Sequence, residues 1–290
     1  MVRSILLATL LLPCAAIAQR TAEDHLALAQ QAYKDTAQLG LALAHADTAL
    51  SLDANIAGGY KLRGDIKQKK RDMHGALMDY TRAAKQEPDN SRLYVSRSAV
   101  HISEGQLKEA VRDADMAIKL DPNDADAWYN RACANYIGRN NEGALHDLER
   151  AMKLRPEFAE AIFLRGVVRG EQYKEASGLV DIEEALRLNP DIPGGRMSAG
   201  VLLFESERYE EAIVRFTEVI ALEEELEVAH YYRGDCYYHL QDKEKACIDW
   251  RRSAELGDKD AQFIVRNYCN TDAESIPKKP QKRRDTVIEF

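Results

Sequence analysis

The chain has 290 residues, 45% hydrophobic and 30% charged, with 40 basic against 48 acidic side chains and a formal charge of −8. That acidic balance argues against a nucleic-acid partner. Downstream of the first 20 residues no apolar run approaches a membrane-spanning length.

Residues 1–18 run from Arg3 through the apolar stretch Ile5–Leu12 to Ala16-Ile17-Ala18 before Gln19, which predicts a secretory signal peptide cleaved after Ala18. A lipoprotein signal at Cys14 is the rival, although Pro13 stands where such signals want a small residue. The signal predicts an exported, periplasmic or secreted chain, with a charge of about −9 once Arg3 is removed. Residues 19–22 form a short N-terminal segment.

From residue 23 a period of 34 takes over. Pro88, Pro122, Pro156 and Pro190 stand 34 apart, each preceded at twelve residues by Ala76, Ala110, Ala144 or Gly178 and at five by Ala83, Ala117, Ala151 or Ala185. This spacing predicts a helical repeat array. The ruler divides 23–260 into seven blocks: 23–56, 57–90, 91–124, 125–158, 159–192, 193–226 and 227–260. Each block reads as a helix-turn-helix that must stack on its neighbours to bury its apolar stripe. In the first block Gln30 and Ala54 replace the small residue and the proline, as expected of a terminal repeat with a wet outer face. In the third, Leu120-Asp121-Pro122-Asn123-Asp124 ends the second helix. In the sixth, Gly194-Gly195 weakens the start of the first helix. A softer joint between blocks five and six is one reading of that pair, and a locally degenerate repeat is the other. Residues 261–270 read as a capping helix. Residues 271–290, with the run Lys278-Lys279-Pro280-Gln281-Lys282-Arg283-Arg284, read as a basic disordered tail, the alternative being contact with anionic envelope surfaces.

The best-preserved line is Trp128-Tyr129-Asn130-Arg131-Ala132, then Glu142-Gly143-Ala144, Leu148, Ala151, Leu154 and Pro156. Other blocks supply Gly64, Gly166, Gly200 and Gly234 where the two helices must approach closely, and Tyr80, Phe216 and Trp250 where a large side chain fills the gap. This pattern resembles the tetratricopeptide repeat. The resemblance implies an all-α, right-handed α-solenoid of about seven repeats closed by a C-terminal capping helix. It also implies that first helices line a concave face. Mapped here, that face would present Val95, Ile102, Tyr129, Tyr136, Ile137, Phe163, Val167, Met197, Val201, Phe204, Tyr231 and Tyr238, an apolar groove for a protein or peptide. Burial of part of this stripe by tight curvature is the alternative. Asp65, Lys69, Arg92, Asp126, Glu160, Glu171 and Asp235 would form a mixed polar rim. The lysine- and asparagine-lined clamp of chaperone-binding relatives is not matched.

Arg63, Arg97, Arg131, Arg165 and Arg233 are each followed sixteen residues later by Asp79, Asp113, Asp147, Asp181 or Asp249. Blocks one and six lose both members together, with Ala29 and His45 in one and Ala199 and Arg215 in the other. The covariation predicts a bridge between the two helices of one repeat. Seven histidines show no metal-motif spacing, and no nucleophile elbow, phosphate loop or Cys-x-x-Cys appears. Export invites cysteine pairing. The end of block seven, Ala246-Cys247-Ile248-Asp249-Trp250 with Tyr268-Cys269, resembles many exported bacterial tetratricopeptide proteins, which implies a Cys247–Cys269 disulfide, with Cys236–Cys247 as the rival and Cys133 left free. The expected function is a non-enzymatic scaffold without cofactor or metal that holds an envelope protein or peptide. A small-molecule or glycan binder using Tyr129, Tyr136, Tyr231 and Tyr238 is the alternative, and an enzyme with an unrecognised site is a further one. Oligomeric state is left open.

Overall fold

The computed structural model describes residues 20–276, so the predicted signal peptide, Cys14 and the run Lys278–Arg284 lie outside the described residues. Within them the chain is helical, and it divides after Pro88 into two compact units. The first holds α1 (Ala22–Tyr33), α2 (Leu39–Leu52), α3 (Gly59–Lys69) and α4 (Met73–Gln86). The second holds α5 (Ser91–Ser103), α6 (Leu107–Leu120), α7 (Ala125–Ile137), α8 (Asn141–Leu154), α9 (Ala159–Glu171), α10 (Glu175–Leu188), α11 (Gly195–Glu205), α12 (Tyr209–Leu222), α13 (Glu227–His239), α14 (Lys243–Glu255) and α15 (Lys259–Ile264), followed by a π-helical turn (Val265–Cys269). These are helix hairpins in register with the 34-residue period, the architecture of an α-solenoid.

Small residues let each hairpin close. A Cβ added at Gly64 would lie 2.6 Å from the Tyr80 ring, one at Gly200 2.6 Å from the Phe216 ring, and one at Gly234 2.9 Å from Trp250. At Gly166 the obstacle is the Gly178 carbonyl, at 2.8 Å. Around these contacts Ala110, Ala144, Ala151 and Ala185 are fully buried, as are the Tyr80, Phe216 and Trp250 rings that fill the space beside the glycines.

The turns between paired helices repeat as well. Arg71, Gly105, Arg139, Tyr173, Glu207 and Gln241, each 34 residues from the next, all have positive φ between 59° and 69°. Only Gly105 announces this conformation in the sequence, because glycine alone adopts it without strain. The first hairpin differs, its turn being widened by a 3-10 segment, Thr36–Gln38.

The diglycine of block six meets two steric demands. Gly194 adopts φ 70°, while a Cβ at Gly195 would strike Ile192 at 2.5 Å and Leu186 at 2.8 Å. Gly58-Gly59 repeats this arrangement in block two, against Ile56 and Leu50. The pair therefore packs a shortened first helix against the preceding turn. Residues 271–276, expected in a disordered tail, are held instead: Lys243 Nζ donates to the carbonyls of Thr271 and Ala273, and Ile276 is buried.

Candidate functional site

The five Arg–Asp pairs are the most regular polar feature. In each, the arginine donates from Nε and Nη2 to the two carboxylate oxygens, at 2.8 and 2.7 Å for Arg63–Asp79, 2.6 and 2.6 Å for Arg97–Asp113, 2.9 and 2.7 Å for Arg131–Asp147, 2.9 and 2.6 Å for Arg165–Asp181, and 2.8 and 2.7 Å for Arg233–Asp249. All five carboxylates are buried, and forked, charge-assisted bonds of this kind fix helix register as well as charge. Hydrogen bonding to its aspartate is the main influence raising the pKa of Arg63, Arg97, Arg131 and Arg233.

Two further layers escaped the sequence reading. A second donor stands one helical turn beyond the arginine in three repeats, Lys67 at 2.7 Å from Asp79, Asn135 at 3.1 Å from Asp147 and Arg169 at 2.8 Å from Asp181, and in a fourth the His101 ring lies 3.6 Å from Asp113. The arginines also reach backward by the same sixteen residues, Arg63 to Asp47, Arg131 to Asp115 and Arg233 to Thr217. That backward spacing was visible in the sequence, and it ties each of these first helices to the second helix of the preceding repeat. In block six, where Ala199 replaces the arginine, Arg215 stands in the aspartate slot and crosses from α12 to Glu183 on α10 at 2.8 Å. In block seven His230 lies 3.4 Å from Asp249, beside the Arg233 fork.

The expected open apolar stripe is not open. Val95, Ile102, Tyr136, Phe163, Val167, Met197, Val201 and Tyr231 are buried. Tyr129, Phe204 and Tyr238 are half-buried, and Ile137 alone is exposed. The physical reason is that first helices of adjacent repeats pack side by side, so the residues between them fill the inter-repeat core. Tyr129 lies against Phe158 at 4.9 Å, and the Tyr136 hydroxyl donates to Glu171 at 2.7 Å. Of the four tyrosines suggested as sugar-stacking platforms, Tyr136 and Tyr231 therefore offer no open face. Asp235, assigned to the polar rim, is buried and accepts from Trp250 Nε1 at 3.2 Å.

Exposed apolar surface lies instead on the second helices. Val180 on α10, Val214 on α12 and Ile248 on α14 occupy one register, 34 residues apart, and are 67%, 56% and 58% exposed. A groove of about 1020 Å³ runs between α10 and α12, with Leu179, Val180, Leu203 and Val214 in its walls. Its rim carries both charges: Arg187 pairs with Glu184 and Arg208 with Glu211 in forked bonds of 2.6 to 2.8 Å.

At the C-terminal end Cys247 on α14 is disulfide-bonded to Cys269, with Cα atoms 5.6 Å apart. Tyr268 stands edge-on to Tyr238 at 5.5 Å and to Trp250 at 6.1 Å, so the cap rests on a ring cluster. Cys236 is buried outside this bond. Cys133 is a buried free thiol whose pKa burial pushes up to about 12.

The tetratricopeptide-repeat family model matches residues 100–157, from the end of α5 through α8. No curated protein matches the chain. Among solved structures, a tetratricopeptide-repeat protein from Parabacteroides merdae ATCC 43184 is similar at 16% identity and TM-score 0.61, over 82% of this chain and 94% of that one. YrrB, described as a tetratricopeptide-repeat protein with an unusual peptide-binding site, is similar at 20% identity and TM-score 0.56, over 64% and 97%. The Cut9–Hcn1 assembly of the APC/C gives 13% identity and TM-score 0.69, over 84% of this chain and 48% of that one. Residues 100–157 match the tetratricopeptide-repeat family model, and the fold and the 34-residue period of the described residues are similar to those of tetratricopeptide-repeat proteins.

Proposed function

We propose that this chain is an exported, non-enzymatic scaffold that holds a protein or peptide partner on the second-helix face of repeats five to seven and supports an assembly of the cell envelope. The observation that carries the site is the exposed line Val180, Val214 and Ile248. Exposed β-branched residues are poor helix formers with no folding benefit at these positions, whereas an exposed apolar position that recurs in successive repeats, two copies of it lining a groove, is what partners use. The rim of Glu184, Arg187, Arg208 and Glu211 suits a partner segment carrying an apolar stripe flanked by both charge signs. The half-buried Tyr129, Phe204 and Tyr238 give the first-helix face far less to offer. Export rests on the reading of residues 1–18.

Affinity capture from envelope extract tests this with three proteins of matched circular dichroism: wild type, a Val180→Ser, Val214→Ser, Ile248→Ser variant, and a Tyr129→Ala, Tyr136→Ala, Phe163→Ala variant. A partner lost only from the serine variant supports the second-helix site. Loss only from the aromatic variant would return the site to the first helices.

A further inference from the structure

His25 on α1 and His45 on α2 face each other with their Nδ1 atoms 3.1 Å apart and ring centroids 5.3 Å apart. Both are half-buried, so solvent reaches them. We propose that this pair is a two-histidine site for a divalent transition ion of the zinc, nickel or copper class.

The register explains why the pair occurs here. His45 stands in the slot that holds the bridging aspartate in five other repeats, and the arginine slot opposite is Ala29. His25 sits four residues before that slot, where the other repeats carry Gly59, Leu93, Ala127, Ala161, Gly195 and Ala229. The first hairpin has thus lost the guanidinium that would repel a cation, and it gains two imidazoles at the point where its helices need a clasp. Ala29, Ala42 and Ala46 between α1 and α2 are fully buried, so the backbones lie close enough for both rings to meet.

The separation suits coordination. With metal–nitrogen bonds of about 2.0–2.1 Å, two nitrogens on one ion stand about 2.9 Å apart at a right angle and about 3.3 Å apart at a tetrahedral angle. The observed 3.1 Å falls between these. Without metal, one Nδ1–H donates to the other Nδ1. With metal, both protons reside on Nε2, a tautomer change in one ring that releases no proton, and a modest pivot of the rings turns both lone pairs to one point. Imidazole selects zinc, nickel and copper over magnesium and calcium. No group of three or more potential ligands exists among the described residues, so the remaining coordination positions fall to water or to an incoming group.

The test is a long-range proton–nitrogen spectrum of the imidazoles in the full chain, titrated with Zn²⁺, alongside calorimetry. The expected result is a metal-induced Nδ1 shift of His25 and His45 together at one equivalent, with His74, exposed and alone on its helix, unshifted. His25→Gln and His45→Gln should each weaken Zn²⁺ binding about tenfold or more, whereas His74→Gln should not. Either variant binding like wild type, or Zn²⁺ shifting other histidines while these two stay unmoved, would overturn the proposal. Should His45→Gln unfold the first hairpin, the wild-type spectrum and His25→Gln still decide it.

Discussion

Arg131 and Asp147 are joined by two parallel hydrogen bonds, Nε to Oδ2 at 2.9 Å and Nη2 to Oδ1 at 2.7 Å, while the third arm of the same guanidinium reaches Asp115 at 2.6 Å. One side chain on a first helix therefore holds the second helices of its own and the preceding repeat. Arg131→Ala leaves a buried carboxylate with Asn135 as its remaining side-chain donor, and stability falls by about 3 kcal/mol. Urea denaturation measures this. A variant as stable as wild type would remove the register role.

The Gly200–Phe216 contact predicts a coupled pair. Gly200→Ala forces a methyl group to within 2.6 Å of the Phe216 ring and lowers stability by about 1–3 kcal/mol through overpacking. Adding Phe216→Leu gives that methyl room, so the double variant loses less than the sum of the singles. Additive losses in a double-mutant cycle would show that the two positions do not meet.

The turn residues make a backbone prediction. A Cβ at Gly105 meets open space, so Gly105→Ala reports φ alone and costs about 1 kcal/mol. Arg139→Gly, at φ 63°, relieves strain in the matching turn and shifts the thermal midpoint the other way. Equal signs for the two substitutions would contradict the shared left-handed conformation.

The cysteines give a redox prediction and a pH prediction. Reducing Cys247–Cys269 releases a loop of 22 residues and lowers stability by about 3 kcal/mol, read as an earlier thermal transition. Cys133 ionises near 9.0 when unfolded and only at about 12 when folded. Below pH 9 both states keep the proton and stability is unaffected. As pH climbs from 9 toward 12 only the unfolded thiol ionises, so folding weakens across that window. Cys133→Ser should flatten this part of the alkaline stability profile, and an unchanged slope would assign it to other groups.

The repeat period, the Arg–Asp pairs and the glycine-to-ring contacts were legible because each recurs at a fixed offset, and recurrence separates structure from coincidence. Burial of Tyr231, Phe163 and Val167 was not legible. A helical wheel assigns these residues to a face, yet it does not say whether that face meets solvent or the next repeat. Val180, Val214 and Ile248 were missed for the converse reason, since an apolar residue on an amphipathic helix reads as core by default. The left-handed turns stayed hidden because five of the six carry ordinary side chains. His25 and His45 lie twenty residues apart, a separation that matches no ligand motif, and only the pairing of α1 with α2 brings them together.

Site-specific photo-crosslinking addresses the central claim most directly. A photoreactive residue placed singly at 180, 214, 248, 129 or 137 is irradiated in intact cells, and adducts are identified by mass. The account predicts one shared partner protein crosslinked from 180, 214 and 248 and absent from 129 and 137. Adducts from 129 and 137 with none from the three second-helix positions would contradict it.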